Sequence, residues 1–197
     1  MIVKDWKKDL LTIPNFLSLF RLLLIPLYMT IYLNAQSMTD HLIAGGILTV
    51  SCLPDAFDGQ IARRFNMIST VGKVLDPLAD KATQFALILC LAIRYPVLWA
   101  VIVLFVIKEI FQLVAGIITL RKGKMLTGAL MTGKICTTVL FVSLVVLVVF
   151  PYVEQTVINV IAIVDSLFLL VAFIDYARVY ITHSSMIQNL PTDEEKA

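Results

Sequence analysis

Four aspartates fall close together in an otherwise apolar chain: Asp55, Asp58, Asp76 and Asp80, within the stretch DAFDGQIARRFNMISTVGKVLDPLAD. An Asp at the centre of a membrane helix opposes insertion by about 2.5–3.5 kcal/mol, so four of them require partners, bound cations or a watery cleft. On a helix turning about 100° per residue, Asp55, Asp58, Gly59, Ala62 and Arg63 share an arc of roughly 140°. Asp76 and Asp80 are spaced i, i+4 and share a face of the next helix, with Pro77 as the first helical residue after an Asp76 cap. Carboxylate oxygens suit hard cations such as Mg²⁺ and Mn²⁺, and a cation pair held by such a cluster commonly handles phosphoryl groups. By chemistry alone this is a candidate phosphoryl-transfer site.

The neighbouring residues fit that chemistry. Gly59 removes a side chain where a ligand can approach the acidic helix, and Gly72 does so at the entry of the next, although close helix packing in a membrane also favours glycine. Arg63 offers a planar donor fork to a pyrophosphate, against a bland role as a snorkelling anchor; Arg64, off the arc, is read as the anchor. Arg21, Lys108, Glu109, Lys134 and Arg178 are the other charges within apolar runs. The cations among them are candidates for binding an acceptor phosphate or for pairing with acids; Asp165 and Asp175 read as partners or boundary residues, Asp175 pairing with Arg178 at i, i+3.

The elements that must carry these residues are membrane helices. Of the 197 residues, 59% are hydrophobic and 15% charged, and the mean hydropathy is +0.91, values that exclude a disordered chain and an ordinary soluble domain. The net charge of +2 excludes the basic excess of a nucleic-acid binder. Six apolar stretches, near 15–34, 41–64, 74–95, 97–120, 129–150 and 156–181, meet or approach the roughly 20 residues needed to cross a bilayer. The reading is therefore an all-α integral membrane bundle of six transmembrane helices, one domain over 1–190. Residues 2–11, IVKDWKKDLL, form a short interfacial helix with Ile2, Val3, Trp6 and Leu10 on one face, and 191–197 form a polar, disordered tail. The first run exceeds a signal-peptide h-region and is read as retained.

With six crossings, Lys4, Lys7, Lys8, Arg63, Arg64, Lys73, Arg121, Lys122, Lys124 and Arg178 lie on the side of the N-terminus, and the opposite connectors offer Arg94. The positive-inside rule then puts both termini and the acidic cluster on the cytoplasmic side of the cell membrane. Cys52, Cys90 and Cys136 read as buried structural thiols, and His41 and His183 are too scattered for a zinc site.

The pattern Asp55-x2-Asp58-Gly59-x2-Ala62-Arg63-x8-Gly72-x3-Asp76-x3-Asp80 resembles the complete signature of the CDP-alcohol phosphotransferase family. Ile13-Pro14-Asn15-Phe-Leu-Ser-Leu-Phe-Arg21 and Gly133-Lys134-Ile-Cys-Thr137 resemble segments of its bacterial phosphatidylglycerophosphate synthases. The resemblance implies a six-helix membrane enzyme, usually a homodimer, that moves a phosphatidyl group from CDP-diacylglycerol to an alcohol and releases CMP. It implies that Asp55, Asp58, Asp76 and Asp80 hold two divalent ions, Mg²⁺ or Mn²⁺. It also implies that Asn15, Gly59, Arg63, Ser69 and Gly72 contact the CDP-lipid, and that Asp80 is the general base on the acceptor hydroxyl.

The acceptor expected first is glycerol 3-phosphate, bound by Lys134 and Arg178 with Lys108 as helper. Two positions depart from the synthase pattern: Lys108-Glu109 stands where Arg-Glu is usual, and Cys136 replaces a second lysine. The alternative is a cardiolipin synthase, which accepts phosphatidylglycerol. A cation or proton transporter is the remote alternative, disfavoured because the acids gather at one end and no second half repeats them.

Overall fold

The computed structural model describes residues 13–65, 72–126, 128, 130–182 and 187–189. The expected interfacial helix over 2–11, the tail over 191–197 and Ser69 lie outside them. Six α-helices run through the described residues: α1 (Ile13–Leu33), α2 (Met38–Phe65), α3 (Gly72–Arg94), α4 (Trp99–Arg121), α5 (Met131–Val149) and α6 (Gln155–Ile181). A 3₁₀ turn, Pro96–Leu98, leads into α4. Strands β1 (Lys124–Leu126) and β2 (Ile187–Asn189) pair antiparallel, Lys124 opposite Asn189 and Leu126 opposite Ile187. This short ribbon is an addition to the all-helical expectation.

The helix ends have local causes. At the head of α2, the Ser37 and Gln36 N–H groups donate to Asp40 Oδ2 at 2.9 and 3.0 Å, and the Asp40 N–H donates to Ser37 Oγ at 3.2 Å. This reciprocal box satisfies N–H groups that the first turn leaves without helical partners. Gly123, at φ 70°, ends α4; its N–H bonds back to the Leu120 carbonyl at 3.0 Å. Pro77 corrects an expectation. It sits inside α3 rather than at its start, because the helix begins at Gly72 and not after Asp76. A proline there gives up one main-chain bond, to the carbonyl of residue 73, and the helix continues through it.

The described residues fall into two compact units, one running up to Arg94 together with Leu144–Val153, the other comprising Tyr95–Ser143 and the residues from Glu154 on. In the first unit α1, α2 and α3 run up, down and up. Arg21 Nε reaches the Ser51 carbonyl at 3.0 Å, whereas Tyr32 meets the His41 ring 5.4 Å away, so α1 and α2 are antiparallel. Arg94 Nη1 lies 2.9 Å from His41 Nε2 at that second end, and Arg21 pairs with Asp80 at the first, so α3 runs antiparallel to α2. Tyr32, Leu48, Leu87 and Leu91 are buried between these helices.

In the second unit, α4 and α6 run parallel. Lys108 faces Tyr176, and the Phe111 ring meets Phe173 and Tyr180 edge-on at 5.0 and 6.4 Å. α5 returns antiparallel to α6, with Gly133 against Tyr176 and Ser143 Oγ donating to the Asp165 carboxylate, 2.7 Å from Oδ2. Among the described residues, 96–121, Met131–Val149 and Gln155–Ile181 are long and apolar enough to cross a bilayer. The apolar part of α1, Ser18–Leu33, is shorter, and α2 and α3 carry the acids and several cations. Polar Ser18, Arg21, His41, Ser51, Thr83, Lys108 and Asp165 are buried while many leucines, isoleucines and valines face outward. That distribution suits lipid as the surrounding solvent.

Candidate active site

The candidate site is built around the side-chain contacts that join α1, α2 and α3. Arg21, 3% exposed, projects from α1 and binds two neighbours at once: Nε donates to the Ser51 carbonyl on α2 at 3.0 Å, and Nη1 pairs with Asp80 Oδ1 on α3. A guanidinium suits this bridge because its donors are fixed in a plane and point in divergent directions. The Asp80 side chain is 52% exposed, so its carboxylate is accessible while Arg21 fixes it from the buried side.

Asp55 lies one helical turn beyond Ser51 on α2, and Asp76 one turn before Asp80 on α3. Because the two helices are antiparallel, both turns lie on the same side of the Arg21 level. Asp55, Asp58, Gly59 and Arg63 all have helical backbone on α2, and Gly72 and Asp76 on α3. Their side chains, and that of Asn15 on α1, lie outside the described residues, so the expected convergence of four carboxylates rests on backbone placement. Among the described residues no group of three His, Cys, Asp or Glu side chains is gathered. The accessible carboxylate of Asp80 offers oxygens of the type that hard divalent cations take.

The expected acceptor residues belong to the second unit. Lys108, on α4, is 3% exposed; its ammonium donates to Glu109 Oε1 at 2.7 Å and lies 5.8 Å from the Tyr176 ring centre. Lys134 on α5 and Arg178 on α6 are exposed. Gly133, just before Lys134, lets α5 press against α6: an added Cβ would lie 2.7 Å from the Tyr176 hydroxyl oxygen. Tyr176 thus underlies both Lys108 and the start of α5, a role the sequence did not single out. Cys136 is buried and, with Cys90, is a free thiol, as expected for both.

Residues 11–175 match the CDP-alcohol phosphatidyltransferase family, a span that contains all four aspartates. The chain belongs to this family. The transferase family's members similar to it include the "CDP-diacylglycerol--glycerol-3-phosphate 3-phosphatidyltransferase" of Aquifex aeolicus, 30% identical over 171 residues, covering 84% of this chain and 94% of that protein. The "Probable phosphatidylglycerophosphate synthase" of Mycobacterium tuberculosis is 28% identical over 113 residues, 56% of this chain and 54% of that protein. The "Cardiolipin synthase (CMP-forming)" of Streptomyces coelicolor is 35% identical over 114 residues, 55% of this chain and 52% of that protein. The chain thus spans about half the length of the mycobacterial and streptomycete transferases it matches.

Proposed function

We propose that the protein is an enzyme of phospholipid synthesis that transfers the phosphatidyl group of CDP-diacylglycerol to glycerol 3-phosphate, yielding phosphatidylglycerophosphate and CMP. The observation that carries the reading is the family match across residues 11–175, which includes the intact aspartate pattern. The Aquifex relative, aligned over nearly its whole length, supports the acceptor.

In this reading the acceptor hydroxyl oxygen bonds to the lipid-side phosphorus, the bond from that phosphorus to CMP breaks, and the hydroxyl proton passes to Asp80. Asp80 suits the role because its carboxylate is accessible and fixed by Arg21, and a positioned base typically contributes about 10²–10⁴-fold. Asp55, Asp58, Asp76 and Asp80 would hold two Mg²⁺ or Mn²⁺ ions, whose charge would neutralise the pyrophosphate. Asn15, Gly59, Arg63, Ser69 and Gly72 would contact the CDP-lipid. Lys134 and Arg178, both exposed, bind the acceptor phosphate through charge-assisted hydrogen bonds, while Lys108, held by Glu109, acts as their helper. In this reading six helices cross the cytoplasmic membrane as one catalytic domain over 1–190, with the site and both termini on the cytoplasmic face, and two copies form a homodimer.

Cardiolipin synthesis is the second reading. The Streptomyces relative favours it, as does buried Cys136 where the synthase pattern has a second lysine, because phosphatidylglycerol carries one charge fewer than a phosphate monoester. The deciding experiment incubates the purified protein with Mn²⁺ or Mg²⁺ and CDP-diacylglycerol and measures CMP released with each acceptor. Release with glycerol 3-phosphate supports the first reading. Release with phosphatidylglycerol alone replaces it with the second, and none with any alcohol overturns both.

A further inference from the structure

A cavity of about 210 Å³ lies within the second unit, where the C-terminal ends of α4 and α6 meet the start of β1. Its walls differ in character. Phe111, Ala115 and Ile118 of α4 and Ile181 of α6 form an apolar side, whereas Lys122, Lys124 and Tyr180 supply two ammonium groups and a phenol hydroxyl. The lysines are held by structure on either side of the glycine turn. Lys122 follows the last turn of α4, its N–H bonded to the Ile118 carbonyl at 3.2 Å, and Lys124 opens β1 opposite Asn189. Phe111 packs edge-on against the Tyr180 ring, 6.4 Å between centroids, which holds that side of the cavity in place.

Both helices are long and apolar enough to span a bilayer, and the cavity sits at the ends where they would leave it. Lysine and tyrosine at such a level face the headgroups, and a basic pocket between membrane helices fits an anionic headgroup there. None of its lining residues belongs to the aspartate site or the expected acceptor set. We propose that this cavity is a binding seat for an anionic phospholipid, its phosphate held by Lys122 and Lys124 and its upper chain lying on Phe111, Ala115 and Ile118. The combination favours a lipid over free phosphate, because an inorganic ion would leave the apolar wall uncovered.

The test is native mass spectrometry of the full chain released from micelles containing equal phosphatidylserine and phosphatidylcholine, neither of them a participant in the proposed reaction. The wild-type protein retains phosphatidylserine in preference to phosphatidylcholine. Lys122→Gln/Lys124→Gln reduces that retention by about thirtyfold, the factor supplied by two headgroup-level lysines, and Lys122→Arg/Lys124→Arg restores it. Ala115→Phe, which fills the apolar side without changing charge, lowers retention as well, with helix content checked by circular dichroism. Three results would each overturn the seat: full retention by the double glutamine variant, an equal loss from Arg121→Gln, which alters a neighbouring exposed cation outside the cavity, or displacement of the lipid by millimolar inorganic phosphate. CMP release is measured separately, so failure here leaves the transferase reading untouched.

Discussion

Arg21 ties the catalytic reading to the fold, because a single buried guanidinium holds the Ser51 carbonyl and the Asp80 carboxylate. Asp80→Asn keeps size and polarity but cannot take the hydroxyl proton. Turnover is expected to fall by about 10²–10⁴-fold with CDP-diacylglycerol binding retained, measured as CMP release beside metal occupancy. Arg21→Met leaves Asp80 chemically intact but unpositioned, and kcat is expected to drop by as much as about 10²-fold; Arg21→Lys, able to satisfy one of the two partners, falls between. Equal turnover of wild type and Arg21→Met would remove the positioning role. The sequence left Arg21 open between phosphate binding and ion pairing, because one-dimensional spacing gives no distance to a carboxylate on another helix. Lys134 is exposed and directly follows Gly133, which packs against Tyr176 at the α5–α6 contact. Lys134→Ala is expected to raise the KM for glycerol 3-phosphate about tenfold or more while that for CDP-diacylglycerol stays near wild type, as loss of a charge-assisted bond to one substrate demands.

At the scale of the helices, the sequence was most legible where long apolar runs decide the outcome: the run read as 156–181 is Gln155–Ile181, and that read as 97–120 is Trp99–Arg121 after its 3₁₀ turn. Pro77 was misread because a proline near an Asp resembles a helix start, and the extra turn upstream carries only Gly72-Lys-Val-Leu as its signal. The ribbon of Lys124–Leu126 with Ile187–Asn189 went unseen since three residues are too few for a period-two pattern to register. Two further predictions belong to these elements. The main-chain N–H groups of Ser37 and Gln36, then the Ser37 side chain, hold the Asp40 carboxyl below the ordinary aspartate range at the head of α2, ahead of the span read from residue 41. A depressed folded-state pKa stabilises above the unfolded value and loses that contribution as pH falls through the folded one. The Tm gap between wild type and Asp40→Ala should therefore be full at neutral pH and shrink below about pH 4. In the second unit, Gly133→Ala forces a Cβ within 2.7 Å of the Tyr176 hydroxyl oxygen and 2.9 Å of its ring carbon. Tyr176 is buried, so the overpacking is expected to cost about 1–3 kcal/mol in thermal or denaturant unfolding. Adding Tyr176→Phe removes the nearer contact and should restore part of that loss; no effect of Gly133→Ala would show that the two helices part freely.

On the whole molecule, among the described residues, Arg21, Lys108, His41 and Asp165 are buried within the largely apolar interiors of the two units while many large aliphatic residues face out. Among the described residues, three helices have the length and apolarity to span a bilayer. Crossing by α1, α2 and α3 is the harder proposition, because α2 and α3 carry the acids toward one end and α1 has a short apolar stretch. The within-unit directions support it: α1, α2 and α3 alternate, as successive crossings must, and α4, α5 and α6 alternate likewise. In the proposed six-span arrangement the acids would lie toward the ends that the positive-inside rule assigns to the cytoplasm, where snorkelling and water would reduce the cost of burying them. Single cysteines in a variant lacking the native thiols decide the matter. With six crossings, Gln36→Cys, Tyr95→Cys and Tyr152→Cys are expected to react with an impermeant maleimide in intact cells, Tyr152 being 77% exposed. Lys122→Cys and Ala197→Cys should react only after permeabilisation. If α2 and α3 stayed on one face, Gln36 and Tyr95 would still label alike, so Lys73→Cys supplies the discriminating position. Protection of Lys73→Cys in intact cells, with Gln36 and Tyr95 labelled, requires α2 and α3 each to cross; external labelling of Lys73→Cys or of Ala197→Cys would overturn the six-span arrangement.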